Sequence, residues 1–158
     1  MFRELAQGTW AIGGWMWGGT DERESIRTIH AALDKGINLI DTAPVYGFGV
    51  SEQIVGKAIE ESGHREKVFI ATKVGLQWYN GSVSRNSSRD RIRKEVQDSL
   101  RRLRTDYIRH LSSPLAGFGR PDRRNRLDPA SPIQGGPDPR DWCEQLFTGA
   151  DEPVHVRL

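Results

Sequence analysis

One cysteine, Cys143, is all the chain has, so an internal disulfide is excluded and a reducing, cytoplasmic setting is expected. There is no run of about 18 apolar residues and no basic, apolar leader, so neither a helical membrane span nor a signal peptide is expected. Charge of one sign is lacking too. Lys and Arg number 23 against 21 Asp and Glu, and the net charge of +2 gives no warrant for a nucleic-acid or polyanion partner. A soluble protein that handles small molecules is the default these absences leave.

Other scarcities are regional. Proline is nearly missing from the first two thirds, where only Pro44 occurs, while seven of the eight prolines follow Ile108. Beyond that point there is no lysine or tyrosine, and Ile or Val appears only at Ile133, Val154 and Val156. Residues 1–108 and 109–158 are therefore unlike in composition, and the second part reads as a disordered tail rich in Pro, Gly and polar residues.

The first part has regular periods. Thr9 to Ile12 reads as a short strand closed by Gly13 and Gly14. Asp21 with Glu24 is a capping pair for a helix whose apolar stripe is Ile26, Ile29, His30 and Leu33, stopped at Gly36. Ile37 to Ile40 is an apolar strand that ends in Asp41. Ser51 is placed to cap a second helix, with Ile54, Val55, Ala58 and Ile59 on one face and Gly63 at its end. Val68 to Thr72 is a third strand, followed by Lys73. After a polar segment from Gln77 to Ser88, with a turn at Asn80-Gly81, a third helix runs from about Arg89 to Arg104, and Tyr107-Ile108 begins a fourth strand. Strands and helices alternate, and each strand is a continuous apolar run. That pattern predicts an α/β fold of parallel strands covered by helices, either a barrel or a doubly wound sheet.

Asp41, Tyr46 and Lys73 stand at or just beyond the downstream ends of the second and third strands, where parallel folds gather their sites. Their types suit carbonyl reduction. A tyrosine phenol, with a reference pKa of about 10, is a poor acid until a nearby ammonium stabilises the phenolate, and a carboxylate can hold that ammonium in place. Singly, each residue has a plainer reading: Asp41 starting a turn, Tyr46 packed in a loop, Lys73 solvated. Two charges ending successive apolar strands, however, are costly unless they pair, which favours a site. Two other motifs are weak. Gly47-Phe48-Gly49-Val50-Ser51-Glu52 opens like a dinucleotide loop but has Glu52 where the third glycine belongs. The basic residues between Arg89 and Arg104 alternate with Asp90, Glu95 and Asp98, as on a solvated helix face.

Residues 1–108 resemble the aldo-keto reductase family, in particular its bacterial general-stress branch. The strings that carry the resemblance are Gly8 to Gly14, Met16 to Glu22, Asn38 to Gly47, Gly49 to Ala58, Ala71 to Lys73 and Ser99 to Ile108. The resemblance implies the N-terminal part of a TIM-type (β/α)8 barrel, about three and a half βα units, and NADPH as cofactor for reducing a small carbonyl substrate. It further implies Tyr46 as proton donor, Lys73 as its cationic neighbour, Asp41 as the carboxylate orienting Lys73, and Thr9 and Trp10, with Asp41, on the nicotinamide side. Trp15 and Trp17 are candidates for the substrate pocket, with packing of their loop the alternative.

Family members carry a further catalytic histidine in Q-V-H-W on the fourth strand, but here the chain reads Arg109-His110-Leu111-Ser112-Ser113-Pro114. A change of reading frame accounts for the break. Arg109 to Gly117 can be encoded CGA CAT CTA TCA AGT CCA CTG GCC GGA, which one base later reads D-I-Y-Q-V-H-W-P. The same shift turns Asp141 to Gln145, with the next residue, into I-G-V-S-N, a fifth-strand string of the family. The family histidine then falls near Pro114, four residues or about 13 Å beyond His110. Residues 109–158 are accordingly expected to be an out-of-frame tail, and this chain an inactive fragment whose open strand edges favour aggregation. The alternative is a half-barrel binding module without catalysis.

Overall fold

The structure, a computed structural model, describes residues 5–112. Four strands form one sheet: β1 (Ala6–Gly8), β2 (Leu39–Asp41), β3 (Phe69–Lys73) and β6 (His110–Ser112). All neighbours are parallel, in the order β1-β2-β3-β6. Between them run α1 (Glu22–Asp34), α2 (Val50–Ser62) and α3 (Arg89–Arg102). A doubly wound sheet reverses strand order at a switch point, whereas a barrel adds each strand beside the last. The sequential order seen here is that of a barrel wall.

Alternation along the strands decides which face is core. Ile40, Ile70 and Leu111 lie beneath the helices and are buried, together with Ile29, Val55, Ile59, Leu100 and Leu103. Each such side chain contributes about 1.5–3 kcal/mol by leaving water. Asp41, Ala71, Lys73 and His110 belong to the opposite face, the one a barrel turns inward.

Local signals explain most boundaries. The Asp21 carboxylate accepts from the Glu24 amide at 3.0 Å and starts α1. Gly63, at φ 64°, ends α2. His30 lies 2.8 Å from the Ala58 carbonyl, so this helix-face histidine joins α1 to α2.

Four expectations change. The first strand is Ala6–Gly8, not Thr9 to Ile12, because the chain leaves the sheet after Thr9 and coils into a 3₁₀ turn over Ala11–Gly13 that buries Ile12. Ser51 does not cap α2. The cap position is Gly49, two residues earlier, and the Ser51 hydroxyl turns to Thr9 instead. The polar segment contains a hairpin, β4 (Leu76–Tyr79) paired with β5 (Ser82–Arg85), because Asn80 and Gly81 both take positive φ (47° and 76°), the twist that tight hairpins need. The last strand forms at His110–Ser112 rather than at Tyr107. Residues 113–158, where the disordered tail was otherwise expected, lie outside the described residues.

Glu95 on α3 is 2% exposed and braces the chain just past Lys73. Its Oε2 accepts the Gly75 amide at 2.7 Å and its Oε1 pairs with Arg91 at 3.0 Å. Burial pushes its carboxyl above the usual range, against the Gly75 N–H and Arg91, which pull it down. A raised folded-state pKa favours folding below the unfolded value of 4.5, and that contribution is lost as pH rises through the folded value. Glu95→Gln should therefore gain stability relative to the native sequence as pH is raised above 4.5. Thermal unfolding of both proteins across that range checks this, and a difference independent of pH would refute it.

Candidate active site

The strand ends bring the three expected polar residues together. Asp41 closes β2 and Lys73 closes β3. The Lys73 ammonium donates to both Asp41 carboxylate oxygens, at 2.8 and 3.0 Å, and to the Thr42 carbonyl at 3.0 Å. Its Nζ stands 4.9 Å from the centroid of the Tyr46 ring. The pair is partly open, with 25% of the lysine and 42% of the aspartate side chain exposed, so a ligand can reach it.

Tyr46 is set by a backbone contact that requires glycine twice. A Cβ on Gly47, which has φ +63°, would stand 2.0 Å from the Gly13 carbonyl oxygen, and one on Gly13 would stand 2.5 Å from the Tyr46 carbonyl carbon. The 3₁₀ turn and the tyrosine loop therefore lie directly on each other. In the sequence Gly13 marks only the end of a strand, and the doubled Gly13-Gly14 is the one local sign of this close approach.

Aromatic rings form the wall. Trp10, half exposed, stacks on Tyr46 with centroids 6.0 Å apart and meets Trp17 edge-on at 5.9 Å. Trp15 belongs to a second group, tilted against Phe48 at 5.0 Å, and Phe48 continues to Trp78 at 5.7 Å. Trp17 thus joins the ring cluster of Trp10 and Tyr46, whereas Trp15 belongs to a separate one. Phe48 and Trp78 were not singled out from sequence, because Trp78 reaches the loop only through the β4–β5 hairpin.

Thr9 is placed differently from Trp10. Its side chain is fully buried and donates to the Asp41 carbonyl at 2.9 Å, while the Ser51 hydroxyl sits 2.8 Å from it. Glu52 follows Ser51 and is also fully buried, with its carboxylate taken up by Arg102 Nε at 2.6 Å and Thr72 Oγ1 at 2.7 Å. A buried carboxylate there argues against a phosphate-binding loop at Gly47–Glu52. His110 is exposed and stands in register with Ala71, which is opposite Asp41, one inward-facing step before the Lys73–Ser112 pair. The position predicted for the family histidine, near Pro114, lies outside the described residues. Among the described residues no group of three or more His, Cys, Asp or Glu could hold a metal.

Comparison with known proteins extends this geometry. The model of the Aldo/keto reductase family matches residues 4–113. Aldo-keto reductase YhdN of Bacillus subtilis is 65% identical over 104 residues, which cover 66% of this chain and 31% of that protein. The solved structure of a glycerol dehydrogenase from Gluconobacter oxydans is 60% identical with a TM-score of 0.62, over 68% of this chain and 34% of the other. An aldo-keto reductase from Klebsiella pneumoniae in complex with NADPH is 28% identical with a TM-score of 0.56, over 70% of this chain and 34% of its own. The chain spans about a third of the length of these relatives. Every site residue from Thr9 to Lys73 lies inside the matched span, and with its sequential parallel strands the chain belongs to the aldo/keto reductase family.

Proposed function

We propose that this site is built for NADPH-dependent reduction of aldehydes and ketones to alcohols, and that the present chain by itself is an inactive fragment. The observation that carries the first half is the Lys73 ammonium, clamped by Asp41 and held 4.9 Å from the Tyr46 ring. The cofactor, when bound, supplies the hydride. Tyr46 then donates its phenol proton to the carbonyl oxygen as negative charge builds there, and Lys73 offsets the charge left on the phenolate. Asp41 keeps the ammonium in place. Trp10 offers an exposed ring face beside Tyr46, as a flat nicotinamide would need, Asp41 keeps exposed carboxylate surface on the same side, and Thr9 holds the Asp41 backbone beneath them. Trp15 and Trp17 are assigned to the substrate wall.

Inactivity is inferred from the frame change, and the family match ending at residue 113, close to the break, supports it. Among the described residues β1 pairs only with β2 and β6 only with β3, and sheet edges left unpaired in a fragment favour association. A cytoplasmic location agrees with the single cysteine. No helix among the described residues is long and apolar enough to cross a membrane. Acidic side chains answer the basic ones on α3, as in Arg91–Glu95, Lys94–Asp98 and Arg102–Glu52, which favours a small-molecule partner over nucleic acid.

Sequencing the gene across the codons for Ile108 and Arg109 tests the frame. If the shift is genuine, the purified chain should neither quench NADPH fluorescence nor consume NADPH with an aldehyde, whereas the product with its frame restored should do both. Clear turnover by the present chain would sink the fragment reading; an inert restored enzyme would sink the reductase reading.

A further inference from the structure

We propose that Ser51 is a positioning residue for the Asp41–Lys73 pair, acting through a buried hydroxyl relay with Thr9 and Thr42. This rests on the reductase reading of the same site. Ser51, Thr9 and Thr42 are each fully buried, on three different segments: the first turn of α2, the residue just past β1 and the residue just past β2. Ser51 Oγ lies 2.8 Å from Thr9 Oγ1, 2.9 Å from the Thr9 carbonyl oxygen and 3.1 Å from Thr42 Oγ1.

Proton counting gives the relay a direction. A hydroxyl has one proton to donate and two lone pairs to accept with. Thr9 commits its proton to the Asp41 carbonyl, which also receives the Thr9 amide at 3.0 Å. Ser51 must then donate to Thr9, and Thr42 donates to Ser51. The Thr42 carbonyl is free to accept from the Lys73 ammonium, and does so at 3.0 Å. Ser51 also reaches the tyrosine, since its amide donates to the Tyr46 carbonyl at 3.2 Å. One buried residue that touches no reacting group thereby ties together the backbones bearing Asp41, Tyr46 and the oxygen that holds Lys73.

Without the Ser51 hydroxyl, Thr42 has a buried donor and no acceptor, a state that a shift of the Asp41–Thr42 backbone relieves. That shift moves the Lys73 ammonium relative to Tyr46. A displacement of about 1 Å is enough to cost up to 100-fold in rate.

The test uses the enzyme with its reading frame restored. Ser51→Ala should lower kcat for aldehyde reduction by about 10-fold or more, while the Kd for NADPH stays within about twofold, because the loss lies in alignment and not in binding. Thr42→Val removes the stranded donor without changing side-chain size, so in the Ser51→Ala background it should restore part of the lost kcat; Ser51→Cys, whose sulfur is a weak acceptor, carries the test if Ser51→Ala is insoluble. The double variant should lose no more than the worse single variant, since both cut one relay. Unchanged kcat in Ser51→Ala, a fall in its thermal stability alone, or a double variant that loses more than Ser51→Ala would overturn the proposal. Absence of turnover in the unsubstituted enzyme would instead overturn the reductase reading, and this inference with it.

Discussion

Tyr46→Phe in the frame-restored enzyme is expected to reduce kcat for carbonyl reduction by about 10² to 10⁴-fold, the range typical for loss of a positioned proton donor. The substitution removes one oxygen and keeps the ring. Stacking on Trp10 at 6.0 Å and the Lys73 ammonium 4.9 Å from the ring centroid should both survive, so NADPH affinity should change little. Steady-state rates with an aldehyde, alongside fluorescence titration of NADPH, separate the two effects. Turnover near that of the unsubstituted enzyme would refute the role assigned to Tyr46. A matching loss of NADPH binding would show that the hydroxyl serves cofactor binding rather than proton transfer.

Arg102→Met should have the largest effect on stability, a loss of about 3–5 kcal/mol. Glu52 is fully buried, and the Arg102 side chain that neutralises it is only 18% exposed. Removing the cation leaves a carboxylate in the core with Thr72 as its remaining donor. Glu52→Gln in the same background should restore most of the loss, because the amide still accepts from Thr72 and carries no charge. Thermal or urea unfolding of the two variants and the native chain measures this. An Arg102→Met chain as stable as the native one would show that Glu52 is not held by that pair.

Several features were legible from neighbouring residues because their causes are local. The capping of α1 by Asp21 depends on contacts within one turn, and the stripe Ile54, Val55, Ala58, Ile59 becomes core because helix period alone puts it on one face. The end of α2 at Gly63 and the turn at Asn80-Gly81 follow from backbone preferences of single residues. Asp41 and Lys73 stood out because a charge that ends an apolar strand needs a partner, and the structure pairs them at 2.8 Å.

Misplaced features share a different cause. Ser51 looks like a helix cap because it precedes an apolar stripe, yet its hydroxyl is claimed by Thr9, 42 positions earlier. Thr9 to Ile12 looks like a strand by composition, but the contact between Gly13 and the tyrosine loop turns that segment out of the sheet.

By itself the sequence determined the alternation of the parallel strands with the three helices, the family, the residue types of the site and the change of character after Ile108, since all of these are written in local patterning and composition. Only the tertiary structure decided that β1 begins at Ala6, that Glu52 needs Arg102 50 residues away, and that Thr9, Thr42 and Ser51 share one buried set of hydrogen bonds. The physical reason is that a buried polar group must find its partner wherever the packed backbone brings one within about 3 Å, and no local pattern records which distant segment that will be.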